Sequence, residues 1–236
     1  MTDGWTSAVR HQLGLGRLLP LGGPPDGAWI AEDAARTVLR RAVGGVAGVR
    51  LGALRIAAVD PAGVYEPAVP PPPSALPPGP LRVTAEFAAS STEPLPAQAD
   101  RLRTVLAAAA TERLGLVVAE VDLRVTALLD EAPGPEAVRP VPEPPPVGRT
   151  QHGDEARATV AALSVAGVTR MTDVLGRAVR VEELPHATAL PHRHARVEIA
   201  VSANHQVLEV ARGVRGAVAR ALRDHPTVTV VVTAVE

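Results

Sequence analysis

The stretches "EVDLRVTAL" (120–128) and "TVTVVVTAV" (227–235) decide the fold, because the chain says nearly the same thing twice. In the first, Val121, Leu123 and Val125 alternate with Asp122, Arg124 and Thr126. That period of two is a strand with one face against helices and one face in water. Aligning the two stretches places Val125 on Val232, both expected to point inward. Two more pairs follow the same order: "GGVAGVRLG" (44–52) with "LSVAGVTRM" (163–171), and "RVTAEF" (82–87) with "RVEIAV" (196–201). Three matches in register, with a helical pattern before the first and third in each half, indicate a tandem duplication.

Each half then reads helix, strand, strand, helix, strand. Ala35, Val38, Leu39, Ala42 and Val43 form one apolar helix face that stops at Gly44–Gly45. "ALRIAAV" (53–59) and "RVTAEF" alternate as strands, and Leu102, Val105, Leu106, Ala109 and Ala110 line a second helix closed by Gly115. In the second half "DEARATVAAL" (154–163), "RAVRVEE" (177–183) and "HARVEIAV" (194–201) repeat the order. Val207, Val210, Val214, Ala217, Val218 and Ala221 line the long helix before the last strand. The expected class is α+β: two tandem small α/β-sandwich domains, each with its helices packed on one face of a small sheet. The expected divisions are an N-terminal arm (1–27), a first repeat (28–131) with a Pro-rich insertion at 61–80, a Pro-rich linker (132–153) and a second repeat (154–236). "EPAVPPPPSALPPGP" (66–80) reads as a solvated insertion and "APGPEAVRPVPEPPPV" (132–147) as an extended spacer.

Composition excludes more than it assigns. A net charge of −1 over 236 residues gives no general pull toward nucleic acid or anionic lipid. All 24 basic residues are Arg, and the heavy use of Ala, Gly, Pro and Val fits a GC-rich bacterial genome. With no Cys, there is no disulfide, thiol nucleophile or Cys-ligated metal. No apolar run approaches a membrane span, and "MTDGWTSAVRHQ" lacks the order of a signal peptide, so a cytoplasmic location is expected.

A helix leading into "VAGV" (46–49), then "RVTAEF", then "ADRLRTVLAAAATERLGLVVAEVDLRVTAL" (99–128) resembles the alkaline-shock, or general envelope-stress, protein family of Gram-positive bacteria. The second half carries the same signature in "VAGV" (165–168) and "HPTVTVVVTAV" (225–235), so the resemblance is to two divergent tandem copies. It implies a stress-response protein of the cell envelope without enzymatic activity. Such a protein self-associates, binds protein partners and stays cytoplasmic, or is held at the inner membrane face by a membrane-anchored partner. Duplication, the Pro insertion and the N-terminal arm depart from the family pattern.

Chemistry-bearing clusters are few. Ser90, Ser91, Ser164 and Ser202 sit in no G-x-S-x-G context, and Glu86 and Glu198 fall at near-equivalent places expected to be wet. No catalytic residue and no cofactor are expected. "GLGRLLPLGG" (14–23) has Leu19 where a dinucleotide fingerprint needs its third Gly. His192 and His194 share a strand face near His186, as metal ligands can, but the mirrored loop of the first half has no His, and no metal is expected. The candidate partner-binding residues are Trp5, Leu13 and Leu18, large apolar groups on the arm. The alternative function is an RNA-binding module. "GVRG" (213–216) matches the backbone-clamping G-x-x-G of KH domains, with Arg212, Arg215 and Arg223 beside it. Against it, helical periodicity runs straight through Gly213 and Gly216.

Overall fold

The computed structural model describes residues 16–63, 65–130, 153–184 and 192–236. Among them the first half supplies β1 (Leu18–Leu21), β2 (Ala28–Ala31), α1 (Glu32–Val43), β3 (Val49–Ala58), β4 (Leu81–Ser90), α2 (Leu95–Ala108) and β5 (Val118–Leu129). The second supplies α3 (Asp154–Leu163), β6 (Val168–Met171), β7 (Val179–Leu184), β8 (His192–Val201), α4 (Val207–Ala221) and β9 (Thr227–Val235). The class is mixed α+β, with two sheets and their helices in a two-sandwich layout. The smaller sheet runs β3-β4-β5, the larger β1-β2-β9-β8-β6 with β7 also on β8.

The duplication is visible in the pairing. β3 pairs antiparallel and β5 parallel with the central β4, and β6 with β7 and β9 do the same around β8. Both parallel ladders slip at the same place: Phe87↔Val125 passes to Ala88↔Ala127, and Ile199↔Val232 passes to Ala200↔Ala234. The last strands therefore align as the sequence suggested. The middle ones do not: Phe87 corresponds to Ile199, so "RVTAEF" overlays residues 194–199 rather than 196–201. That shift makes Glu86 and Glu198 true equivalents. Gly48 and Gly167 turn each half into its first strand at φ +76° and +94°, a region open to Gly but strained for other residues. Each carbonyl then accepts the N–H of Ser90 (2.7 Å) or Ser202 (2.8 Å).

The expected division at residue 28 is corrected. β2 lies parallel to β9 with Trp29 opposite Val231, and β1 pairs antiparallel with β2, so residues 18–31 close the edge of the second half's sheet. "LLPL" and "AWIA" are apolar at every position and buried at every position, as strands covered on both faces must be. Pro20 is tolerated because β1 is an edge. The Pro insertion is only partly solvated. Pro70 O accepts the Thr229 hydroxyl (3.0 Å), Leu76 O accepts Trp29 Nε1 (3.1 Å), and Val69 is buried. Helix α1 packs on β9 of one sheet and β3 of the other, and one apolar core runs through both halves. The linker expected at 132–153 lies, save its last residue, outside the described residues.

Candidate functional site

Equivalent strands in the two halves meet different neighbours. β9 lies between β8 and β2, and its Val231 and Val232 are wholly buried. β5 pairs with β4 alone among the described residues, so its outer backbone groups face no other strand. Val125, expected to point inward like Val232, is 39% exposed, and Leu128 is 62% exposed. β9 has β2 beside it and α1 packed on it, whereas among the described residues no strand lies beyond β5. At the position of Val231 the first half carries Arg124, a charged residue on an open edge, which discourages indiscriminate strand pairing.

The outward face of this sheet is a ladder of opposite charges. Arg82 Nε lies 2.5 Å from Glu120 Oε2 and 3.4 Å from Asp122 Oδ2, and Arg124 lies 3.6 Å from Glu86 Oε1. All are well exposed, so each contact contributes little stability, and the pattern matters more as a charge signature along the edge.

In the second half the counterpart of Glu86 has a different fate. The loop between β6 and β7 folds across Glu198, whose backbone bonds Ala178 (2.8 Å) and Thr172 (3.0 Å) and whose Oε2 accepts the Leu175 N–H (2.9 Å). Its other oxygen lies 3.6 Å from Arg196. Burial pushes this carboxyl up to about 7, with the Leu175 bond and Arg196 opposing. Glu198 is therefore not on a wet face, and the signal for this, a seven-residue break in the strand opposite β8, is only faintly legible in "TDVLGRA" (172–178).

The expected site residues scatter. Leu18 is buried in β1 and cannot meet a partner, while Trp5, Leu13 and His186 lie outside the described residues. Helix α4 runs unbroken through Gly213 and Gly216, so no G-x-x-G loop forms. Arg212 bonds Asp26 (2.8 Å) and Glu209 (2.6 Å), and Arg215 Nη1 bonds the carbonyls of Pro25 and Asp26 (both 2.6 Å). Burial alone would raise the Asp26 carboxyl. The Arg212 bond, the Gly23 N–H and the nearby Arg215 together hold it below its ordinary value. These two Arg fasten the Pro24–Asp26 turn to α4, although Arg212 stays exposed, and Arg223 stands exposed just past the end of the helix. His194 is buried, with its Nδ1 2.9 Å from the Thr227 hydroxyl, and burial lowers its pKa. Among the described residues no three His, Asp or Glu converge as metal ligands, and no helix is long and apolar enough to cross a membrane. The cleft between Val38, Leu114, Val207 and Val235 has a volume of about 20 Å³, room for about one water. Comparison with protein-family models, curated proteins and solved structures finds no match to this chain.

Proposed function

We propose that the chain is a non-enzymatic scaffold or adaptor of the alkaline-shock type, acting by self-association and protein–protein contact. It works in the cytoplasm or, through a membrane-anchored partner, at the inner membrane face. One observation carries the reading: β5 is a twelve-residue edge strand with exposed Val125 and Leu128, where the duplicated strand β9 is covered by β2. An open edge of this length recognises another backbone by completing the sheet, with alternate side chains adding selectivity. The RNA-binding alternative loses support from Arg212 and Arg215, which are spent on holding the Pro24–Asp26 turn.

The test is a photo-crosslinking residue placed at Thr126 on β5 and, as control, at the exposed helical surface near Thr37. In living cells Thr126 should yield discrete protein adducts and Thr37 none. Absence of any adduct at Thr126 overturns the reading. RNA retention that falls steeply with salt would favour the alternative.

A further inference from the structure

We infer that the partner of β5 is the β5 of a second copy of this chain, antiparallel across a two-fold axis; this rests on the reading of β5 as the docking edge. The ladder with β4 is regular only from Glu120 to Val125, because it slips once before Glu120 and again after Val125. A two-fold perpendicular to the sheet keeps each residue on its own face, so the axis lies midway between one residue of that stretch and its own copy. Its middle offers two choices. Centring on Asp122 sets Asp122 against its own copy, a like-charge pair directly opposed.

Centring on Leu123 removes the conflict. Asp122 then faces Arg124 of the partner and Arg124 faces Asp122, two complementary pairs on the wet face. Val121 faces Val125 on the other side, twice, and Leu123 meets Leu123. The exposed Val125 gains the cover that Val232 already has from β2. The same strand thus holds its own complement, and the two three-stranded sheets become one of six strands, matching the six of the other sheet.

The experiment is sedimentation of the full chain, alone and as charge variants. Wild type should run at twice 24.4 kDa. Arg124→Asp sets Asp against Asp, and Asp122→Arg sets Arg against Arg, so each variant alone should be monomeric. Both sites are exposed, and circular dichroism melts close to wild type should confirm folding. An equimolar mixture of the two variants restores both opposite-charge pairs and should return to the dimer mass. A monomeric wild type, dimers that survive both substitutions, or a mixture that stays monomeric overturns the inference. If Thr126 crosslinks another protein while the chain is monomeric, the scaffold reading stands and the dimer falls. If Thr126 gives no adduct with any protein, the scaffold reading falls too.

Discussion

Replacing Glu198 with Gln should stabilise the protein, and increasingly so as the pH rises. The folded carboxyl titrates at about 7 against an ordinary value of 4.5, so the folded state holds its proton more tightly than the unfolded chain. Below 4.5 the group is neutral in both states and costs nothing. Between 4.5 and about 7 the unfolded chain ionises while the folded one does not, and stability is lost with rising pH; above 7 the loss is complete. At about 1.36 kcal/mol per pH unit, that span amounts to about 3 kcal/mol. Gln cannot ionise, yet it keeps an oxygen for the Leu175 N–H. His194 acts with the opposite sign, since burial lowers its pKa, and its penalty is relieved as pH rises toward 6.5 and is gone above it. Subtracting the wild-type curve from that of Glu198→Gln removes His194 and leaves Glu198. Urea unfolding across the pH range should show the difference grow by about 2 to 3 kcal/mol between about pH 5 and about pH 8. A difference that stays flat would mean that water reaches this carboxyl and that the 172–178 loop does not bury it.

Three further outcomes follow from the packing. Val232→Asp leaves a carboxylate unpaired in the core and should cost more than about 4 kcal/mol, whereas Val125→Asp at the open edge should cost about 1 kcal/mol by chemical denaturation. Gly167→Ala should be the worse of two strained changes, because its Cβ would lie 2.7 Å from Val210 Cγ2, against 3.3 Å from Gln98 Oε1 for Gly48→Ala; urea midpoints rank them. Deleting residues 1–24 strips Leu18, Leu19 and Leu21 from the core and should lower the melting temperature by more than about 10 °C; an unchanged melt would show that β1 is dispensable.

The duplication was legible because strand alternation and the "VAGV" turn are local signals. Val125 and Val232 align in the structure as they do in the sequence. Helix α4 was legible for the same reason, since Val207, Val210, Val214 and Val218 form one stripe that Gly213 and Gly216 do not interrupt. The register of "RVTAEF" was missed by two residues because Arg and Val recur in both registers, and only pairing with the neighbouring strand separates them. The cross-over of β1 and β2 into the other half's sheet was missed because which edge a strand covers is set by contacts some two hundred residues apart. The apolar runs "LLPL" and "AWIA" around "GGPPDG" do hold a hairpin signal within what the sequence suggests is an arm and the start of the first repeat.

What separates the halves is one strand. Both copies build a central strand with an antiparallel neighbour on one side and a parallel neighbour on the other, and each must do something with the outer edge of the last. The second half closes it with β2, and Val231 can then be apolar because Trp29 lies opposite. The first half has no such strand among the described residues and carries Arg124 at that position, 77% exposed at its side chain. A lone charge there would merely repel stray strands. With Asp122 two residues away on the same face, it also grades them: identical strands can meet without conflict when centred on Leu123 and cannot when centred on Asp122 or Arg124. An edge that only needed protection would gain from charges of one sign. Charges of opposite sign, one alternation apart around an apolar centre, protect against most partners and select one.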